Sequence, residues 1–238
     1  MDRIDKIIAS QGQYSRSEVK KLVKGGRVTL DGRVIKSSDE KADPDKNIIA
    51  IDGKAVNYKK HIYIMLNKPQ GVVSATEDRD HPTVIDLVPK DLRRDGLFPA
   101  GRLDGDTVGF VLITDDGDFA HEILSPKNHI MKTYHATLQR DLTQEDIDAF
   151  KNGIELKDGT LCLEAEVTAI DSDKPMAQVK ICEGKYHQVK RMFHALGNNV
   201  EQLRRIQIGS LKLDTSLAEG ECREMTEEEL ELVFLDEK

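Results

Sequence analysis

Apolar residues recur at Ile4, Ile7 and Ile8, the spacing of one helix face, and Gly12 closes that run. Ser15, followed three residues later by Glu18, has the capping-box form. The spacing therefore predicts a second helix that turns Val19, Leu22 and Val23 inward until Gly25 and Gly26 stop it. The period then changes. Residues 27–35 read as a hairpin turning at Asp31-Gly32, and residues 47–54 as another strand and turn. Two short helices and a few strands predict a minimal domain over residues 1–58, with a small core.

The polar stretch 59–61 reads as a linker, and a larger domain is expected over 62–238. An apolar strand opens it at 62–66, and a proline-bounded turn or short helix follows at 81–89. The run Phe110-Val111-Leu112-Ile113 is a buried strand, and a helix over 118–124 ends before Pro126. Residues 132–138 alternate, with Lys132, Tyr134, Ala136 and Leu138 on one face. Thr143 caps a helix bearing Ile147 and Phe150 that Gly153 closes, and 164–170 with 176–181 form a hairpin. A helix is expected over 187–196, a strand over 206–213, and an acidic helix over 226–234. Strands outnumber helices here and mostly join through hairpins. That pattern predicts an α+β fold, a mostly antiparallel mixed sheet with flanking helices.

Composition adds exclusions. With 38% hydrophobic residues the chain can bury a real core. No apolar run approaches the ~18 residues of a membrane span, and the N-terminal residues are charged rather than signal-like. No membrane partner and a cytoplasmic location are the expectations. Cys162, Cys182 and Cys222 are odd in number and far apart, and the seven His form no His-Glu-x-x-His pattern. No disulfide framework, no metal site and no cofactor are expected, and with no long apolar seam unassigned the chain reads as a monomer.

The net charge of -8 argues against nucleic acid only if it is evenly spread, and it is not. Residues 1–60 carry a net +5, residues 61–218 a net -6, and residues 219–238 a net -7. Phosphate binding follows local patches rather than totals. The basic head is either such a patch or a solvated face; its composition alone favours the second.

Two stretches carry candidate chemistry. In Gly101-Arg102-Leu103-Asp104-Gly105-Asp106-Thr107, Arg102 and Asp104 share a face if the chain is extended. Placed before a buried strand, they make either a site or a surface ion pair. The second stretch, Glu183 to Phe193, puts a basic run where a hairpin passes into a helix. Residues 184–205 hold five Lys and Arg against the single Glu201, and the helix N-terminus adds its own positive end. Phosphate approach and a solvated basic helix face are both open there.

Ordered motifs supply a resemblance. Residues 4–35 resemble the RNA-binding domain first described in ribosomal small-subunit protein four, in which the second helix and the following turn meet RNA. That implies RNA contacts at Arg16, Lys20, Lys21 and Arg27, with Arg3 a further head cation. Lys68-Pro-x-Gly71, Gly101-Arg-Leu-Asp-x-Asp-Thr-x-Gly109, Lys132-Thr-Tyr134, Lys185-Tyr-His-Gln-Val-Lys-Arg-Met192 and Leu203-Arg-Arg-Ile-x-Ile-Gly209 follow in the order of one family. The chain is similar to ribosomal-RNA pseudouridine synthases of the small-subunit type over nearly its whole length. Residues 67–75 and 81–84 look most like the branch acting on 16S rather than 23S ribosomal RNA. Gly105, Phe110 and Val111 depart from the usual pattern but keep a turn and an apolar strand.

The resemblance implies that Asp104 is the catalytic carboxylate and that Arg102 helps expel the target base or holds the opened RNA. It puts Tyr134 against the uracil, pairs Lys190 with Asp104, and packs Leu203 under the site. Lys68, Lys185, His187, Arg191, Arg204 and Arg205 would meet RNA. Read without the family, Tyr134 and Leu203 are ordinary packing residues, and Asp106 is a turn residue. The implied partner is 16S ribosomal RNA or an assembling small subunit. Uridine isomerisation moves one bond and gains no atom, so it asks for no cofactor. Asp104 acts either as nucleophile at C1′ or as base at C2′. The rivals are a 23S-directed synthase, a non-catalytic ribosomal-RNA assembly factor, and an N-glycosidase using Asp104 with a second carboxylate.

Overall fold

The computed structural model describes residues 1–235, so the last three residues of the acidic tail lie outside it. The chain divides into two units: Met1–Ile62 with Val88–Leu97, and Tyr63–Leu87 with the chain from Phe98 onward.

The first unit runs β1 (Asp2–Arg3), α1 (Ile4–Ala9), α2 (Arg16–Lys24), β2 (Val28–Leu30), β3 (Arg33–Val34), β4 (Lys41–Ala42), β5 (Ile49–Ile51) and β6 (Lys54–Ala55). Ser15 and Glu18 form the capping box at the start of α2, each satisfying a backbone N–H that a helix end leaves open. The strands pair in the order β3-β2-β5-β6, with β1 against β4. Both hairpins turn on Asp-Gly, where φ is 48° and 81° at Asp31-Gly32 and 51° and 79° at Asp52-Gly53. Two positive φ angles match the twist of a two-residue hairpin, which is why those residues stand there. Ile4, Ile7, Ile8, Val19, Leu22 and Val23 pack on Val28, Ile49 and Ile51 to make the core.

The stretch 59–61 is held in place. Gln11 Oε1 accepts from the Lys59 amide at 2.9 Å and from Arg94 Nη2 at 3.1 Å, and Arg94 Nη1 donates to the Lys59 carbonyl at 2.9 Å. Arg94 belongs to the segment Val88–Leu97, whose return to the first unit carries no compositional mark in the sequence.

The second unit contains β7 (Tyr63–Lys68), β8 (Phe98–Pro99), β9 (Val108–Thr114), α3 (Gly117–Leu124), β10 (Lys132–Leu138), α4 (Gln144–Asn152), β11 (Glu166–Ile170), β12 (Met176–Ile181), α5 (Gln188–Ala195), β13 (Val200–Ile208), β14 (Leu211–Lys212), β15 (Cys222–Glu224) and α6 (Glu227–Val233). Among the described residues the strands form one nine-stranded sheet, β11-β12-β10-β13-β9-β7-β15, with β14 on β13 and β8 on β9. The β13–β9 pairing is parallel and the others are antiparallel. The mixed sheet with flanking helices is therefore the expected α+β architecture. Met65, Phe110 and Leu112 point to α3 and α6 through Ala120, Ile123 and Val233, while Ile64, Leu66, Val111 and Ile113 are buried as well. With both faces covered, β7 and β9 read as continuous apolar runs rather than alternating ones.

The expected strand over 206–213 is corrected. β13 begins six residues earlier, at Val200, and ends at Ile208, where the chain turns through Gly209 and Ser210 into β14. Glu201, Gln202, Arg204 and Arg205 disguise its first half as surface chain. Arg205 lies in the interior because its Nε donates to the Phe110 carbonyl at 2.7 Å. Among the described residues no helix is long and apolar enough to cross a membrane.

Candidate active site

Gly109 decides where the loop before β9 can lie. Its φ is 100°, and a Cβ there would sit 2.3 Å from the Arg205 carbonyl oxygen. Only glycine lets β9 approach β13 so closely at the parallel register Arg204↔Val108, Arg205↔Gly109. The approach brings the loop carrying Arg102 and Asp104 beside Leu203. A register shift in the β10–β13 ladder between Thr133 and Tyr134 marks a bulge, a device that re-aims the adjoining side chain.

The loop is pinned from below. Ser74 Oγ accepts from the Leu103 amide at 3.0 Å and donates to the Leu103 carbonyl at 3.1 Å. The Gly71 amide donates to the Gly105 carbonyl at 2.8 Å. Lys68, expected to meet RNA, is instead fully buried and donates to the Thr107 carbonyl at 2.8 Å, to Pro69 at 3.1 Å and to Gly105 at 3.4 Å. Burial lowers its pKa to about 8. Hydropathy reads lysine as a surface residue; backbone carbonyls make this one a brace.

A cleft of about 60 Å³ opens over the loop, lined among others by Arg102, Asp104, Tyr134, His187 and Leu203. Four of the five residues expected to do chemistry, Arg102, Asp104, Tyr134 and Leu203, thus face one space. Tyr134 and Leu203 are buried, and the Tyr134 hydroxyl takes no hydrogen-bond partner among the described residues. Arg102 is exposed at the lip and has no ion-pair partner among the described residues.

Lys190, on the first turn of α5, differs in detail from expectation. Its Nζ lies 3.4 Å from Asp104 Oδ2 but 2.5 Å from Asp106 Oδ1, so the turn residue Asp106 is its nearer partner. That ion pair holds the Asp106 carboxyl below the usual range. The same period of two that pairs Arg102 with Asp104 extends to Asp106, and that spacing is the signal by which it could be found. His187 supplies a second cation-capable neighbour, with Nε2 3.4 Å from Asp104 Oδ1. It precedes α5 in the left-handed region, at φ 47°.

The other expected RNA-binding residues fall into three groups. Arg16, Lys20 and Lys21 are exposed on α2 and make no ion pair at contact distance among the described residues. Arg3 chelates Asp5 and also reaches Asp39, and Arg27 forks onto Asp52 at 2.8 and 2.5 Å. Lys185 pairs with Glu183, Arg191 with Asp158 at 2.5 Å, and Arg204 with Glu219 at 3.3 Å. Arg205 is buried within the sheet layer and out of reach of a phosphate. Among the described residues no group of three His, Cys, Asp or Glu is placed to hold a metal.

Comparison with known proteins bears on this geometry. Residues 62–195 match the family model described as RNA pseudouridylate synthase, and residues 2–48 match the S4 domain. The chain is 47% identical over 233 residues to an uncharacterized RNA pseudouridine synthase, YtzG, of Bacillus subtilis (strain 168), covering 97% of this chain and 98% of that one. It is 42% identical over 232 residues to ribosomal small subunit pseudouridine synthase A of Escherichia coli (strain K12), covering 96% and 98%. A crystal structure of a pseudouridylate synthase superposes with a TM-score of 0.67 at 38% identity, covering 98% of this chain and all of that one.

Proposed function

The chain belongs to the RNA pseudouridylate synthase family, and from that membership we propose that it converts a uridine of 16S ribosomal RNA to pseudouridine, with Asp104 as the catalytic carboxylate. The observation that carries this reading is the convergence of Arg102, Asp104, Tyr134 and Leu203 on one cleft. The small-subunit target rests on relatives named for that subunit that align over nearly their full length.

In this reading the target base leaves its stack, at a few kcal/mol, to reach the cleft. Arg102, exposed at the lip, meets the opened strand. The Tyr134 ring lies on the uracil face with Leu203 beneath. The N1–C1′ bond breaks, the base turns, C5 joins C1′, and the proton on C5 leaves while N1 gains one. Asp104 either attacks C1′ and is later displaced, or removes the C2′ proton to leave a glycal. Lys190 balances its charge, and the His187 ring lies beside its other oxygen. Residues 1–58 act as the RNA-gripping domain through Arg16, Lys20 and Lys21, and residues 62–238 as the catalytic one.

The test is a 16S transcript carrying uridine tritiated at C5. Isomerisation releases the label to water, and Asp104→Asn is expected to abolish release while leaving RNA binding within about twofold of wild type. No release by the wild type would favour an assembly factor. Free uracil among the products would identify a glycosidase instead.

A further inference from the structure

Tyr186 immediately precedes His187 of the Asp104 cleft and carries no role in the isomerisation proposed above. It is 75% exposed, an unusual place for a ring with so much apolar surface. One face of the ring is covered by the His187 imidazole, with centroids 3.9 Å apart and planes 17° from parallel. His187 holds a left-handed backbone conformation that residues with side chains adopt infrequently. Its Nε2 at the same time reaches the Asp104 carboxylate at 3.4 Å. The stack thus fixes Tyr186 on the reacting acid's own neighbour, with its other face open to solvent.

Beside it lies a second cavity of about 430 Å³, which Tyr186 helps to line. This cavity and the catalytic cleft share Arg102, Asp104 and His187 in their walls. The two spaces therefore adjoin, and a strand with a nucleotide in one has the other within reach. Arg102, with no ion-pair partner among the described residues, stands where the phosphate between two such nucleotides would pass.

We propose that this cavity takes the unpaired base adjoining the target uridine, stacked on the open face of Tyr186. The inference rests on the reading that the Asp104 cleft receives a uridine of RNA. Extruding that uridine strips a stacking partner from its neighbour, and an aromatic ring at the mouth replaces it. Stacking of this kind tolerates any base, because every base has a π-face.

The experiment uses the full chain, the tritiated 16S transcript, and Tyr186→Ala, Tyr186→Phe and Tyr186→Trp. Tyr186→Ala is expected to raise KM by about 5- to 150-fold, the range base–aromatic stacking supplies, with a smaller change in kcat. Tyr186→Phe keeps the ring and is expected to stay within about twofold of wild type. The chain contains no tryptophan, so Tyr186→Trp places a single indole on the lip, and its fluorescence should fall as RNA saturates the site. A KM for Tyr186→Ala within twofold of wild type overturns the proposal. So does a loss confined to kcat, which would mean that Tyr186 acts only through His187 on Asp104. Unchanged indole emission at saturating RNA overturns it too. If the wild type releases no tritium the isomerase reading fails, and the indole signal still decides whether a base stacks there.

Discussion

Replacing Lys68 with Met separates bracing from binding. The wild-type ammonium is fully buried and directs its donors at the carbonyls of Thr107 at 2.8 Å and Pro69 at 3.1 Å, with a longer reach to Gly105. Desolvation lowers its pKa from 10.5 to about 8, against the pull of Asp106 and Asp104. That gap corresponds to ~3 kcal/mol against the charged form. Methionine, of similar length, removes the penalty. It also strips two well-placed carbonyls of their donor, at ~1–3 kcal/mol each. The opposing effects leave a net loss of no more than ~3 kcal/mol. The loop from Asp104 to Thr107 loses its tie, however, and a displacement of about 1 Å at a reacting group lowers a rate ~100-fold.

The expected result is therefore a modest shift of the urea midpoint, a kcat for tritium release lower by ~100-fold, and RNA affinity within about twofold of wild type. A phosphate-binding lysine would give the opposite pattern, weaker binding with kcat preserved, and that outcome would refute the reasoning. The pH profile gives a second check. A lysine whose folded pKa lies below its unfolded value binds more protons when unfolded, so stability rises with pH between about 8 and 10.5. Lys132, buried against the carbonyls of Ile123 and Cys182, has its pKa lowered to about 8 and contributes in the same window. Tyr63, whose pKa is raised by burial and by its hydrogen bond to Asp116, opposes the rise above pH 10. Between pH 8 and 10 the wild type should gain stability, and Lys68→Met should gain less than the wild type, since only Lys132 then drives the rise.

Gly109→Ala is expected to destabilise the fold by ~2–4 kcal/mol in urea titration, since it combines left-handed strain with a Cβ driven into the Arg205 carbonyl. Arg16→Ala with Lys20→Ala should raise KM far more than it changes kcat and lower the salt slope of RNA binding by about one for each phosphate no longer neutralised; an unchanged slope would remove these residues from the interface. Asp146 accepts two bonds from Arg140, at 2.6 and 3.0 Å, and caps α4 through the Thr143 amide at 3.0 Å. The Arg140 hydrogen bond is the main cause that holds its pKa below 3.8, so its contribution is present above that pH and is lost as pH falls through the folded value. Asp146→Asn should lower stability at pH 7 by ~1–3 kcal/mol and flatten the acid limb of the stability profile.

Local chemistry is legible in the sequence wherever one residue type answers one backbone need. Ser15, Thr143 and Thr226 each cap a helix and meet an acid three residues on, and Asp31-Gly32 and Asp52-Gly53 each turn a hairpin. Period two and period 3.6 locate most of the remaining elements. Pattern misleads where a polar side chain is satisfied by backbone inside the fold. Lys68 and Lys132 point their charge at carbonyls and Arg205 gives its Nε to one, so hydropathy assigns Lys68 and Arg205 to the surface and hides the first half of β13. The return of Val88–Leu97 is hidden for a related reason: Arg94 is recognised by the Lys59 carbonyl and by Gln11, features that leave no periodic trace.

Those same buried cations bear on how an acidic body receives RNA. A carboxylate partner would cancel the charge of Lys68, whereas a carbonyl satisfies its donors and leaves the charge in place. Fixed positive charge of this kind is screened far less than charge on the surface. Asp106 and Asp104 feel it, and their charges in turn raise the Lys68 pKa against its burial. Lys190 adds to it from the first turn of α5. The site is thus locally balanced within a chain of net charge -8. On the proposed reading, a nucleotide's phosphate would enter beside Asp104 without importing a counterion, which surface composition alone does not reveal.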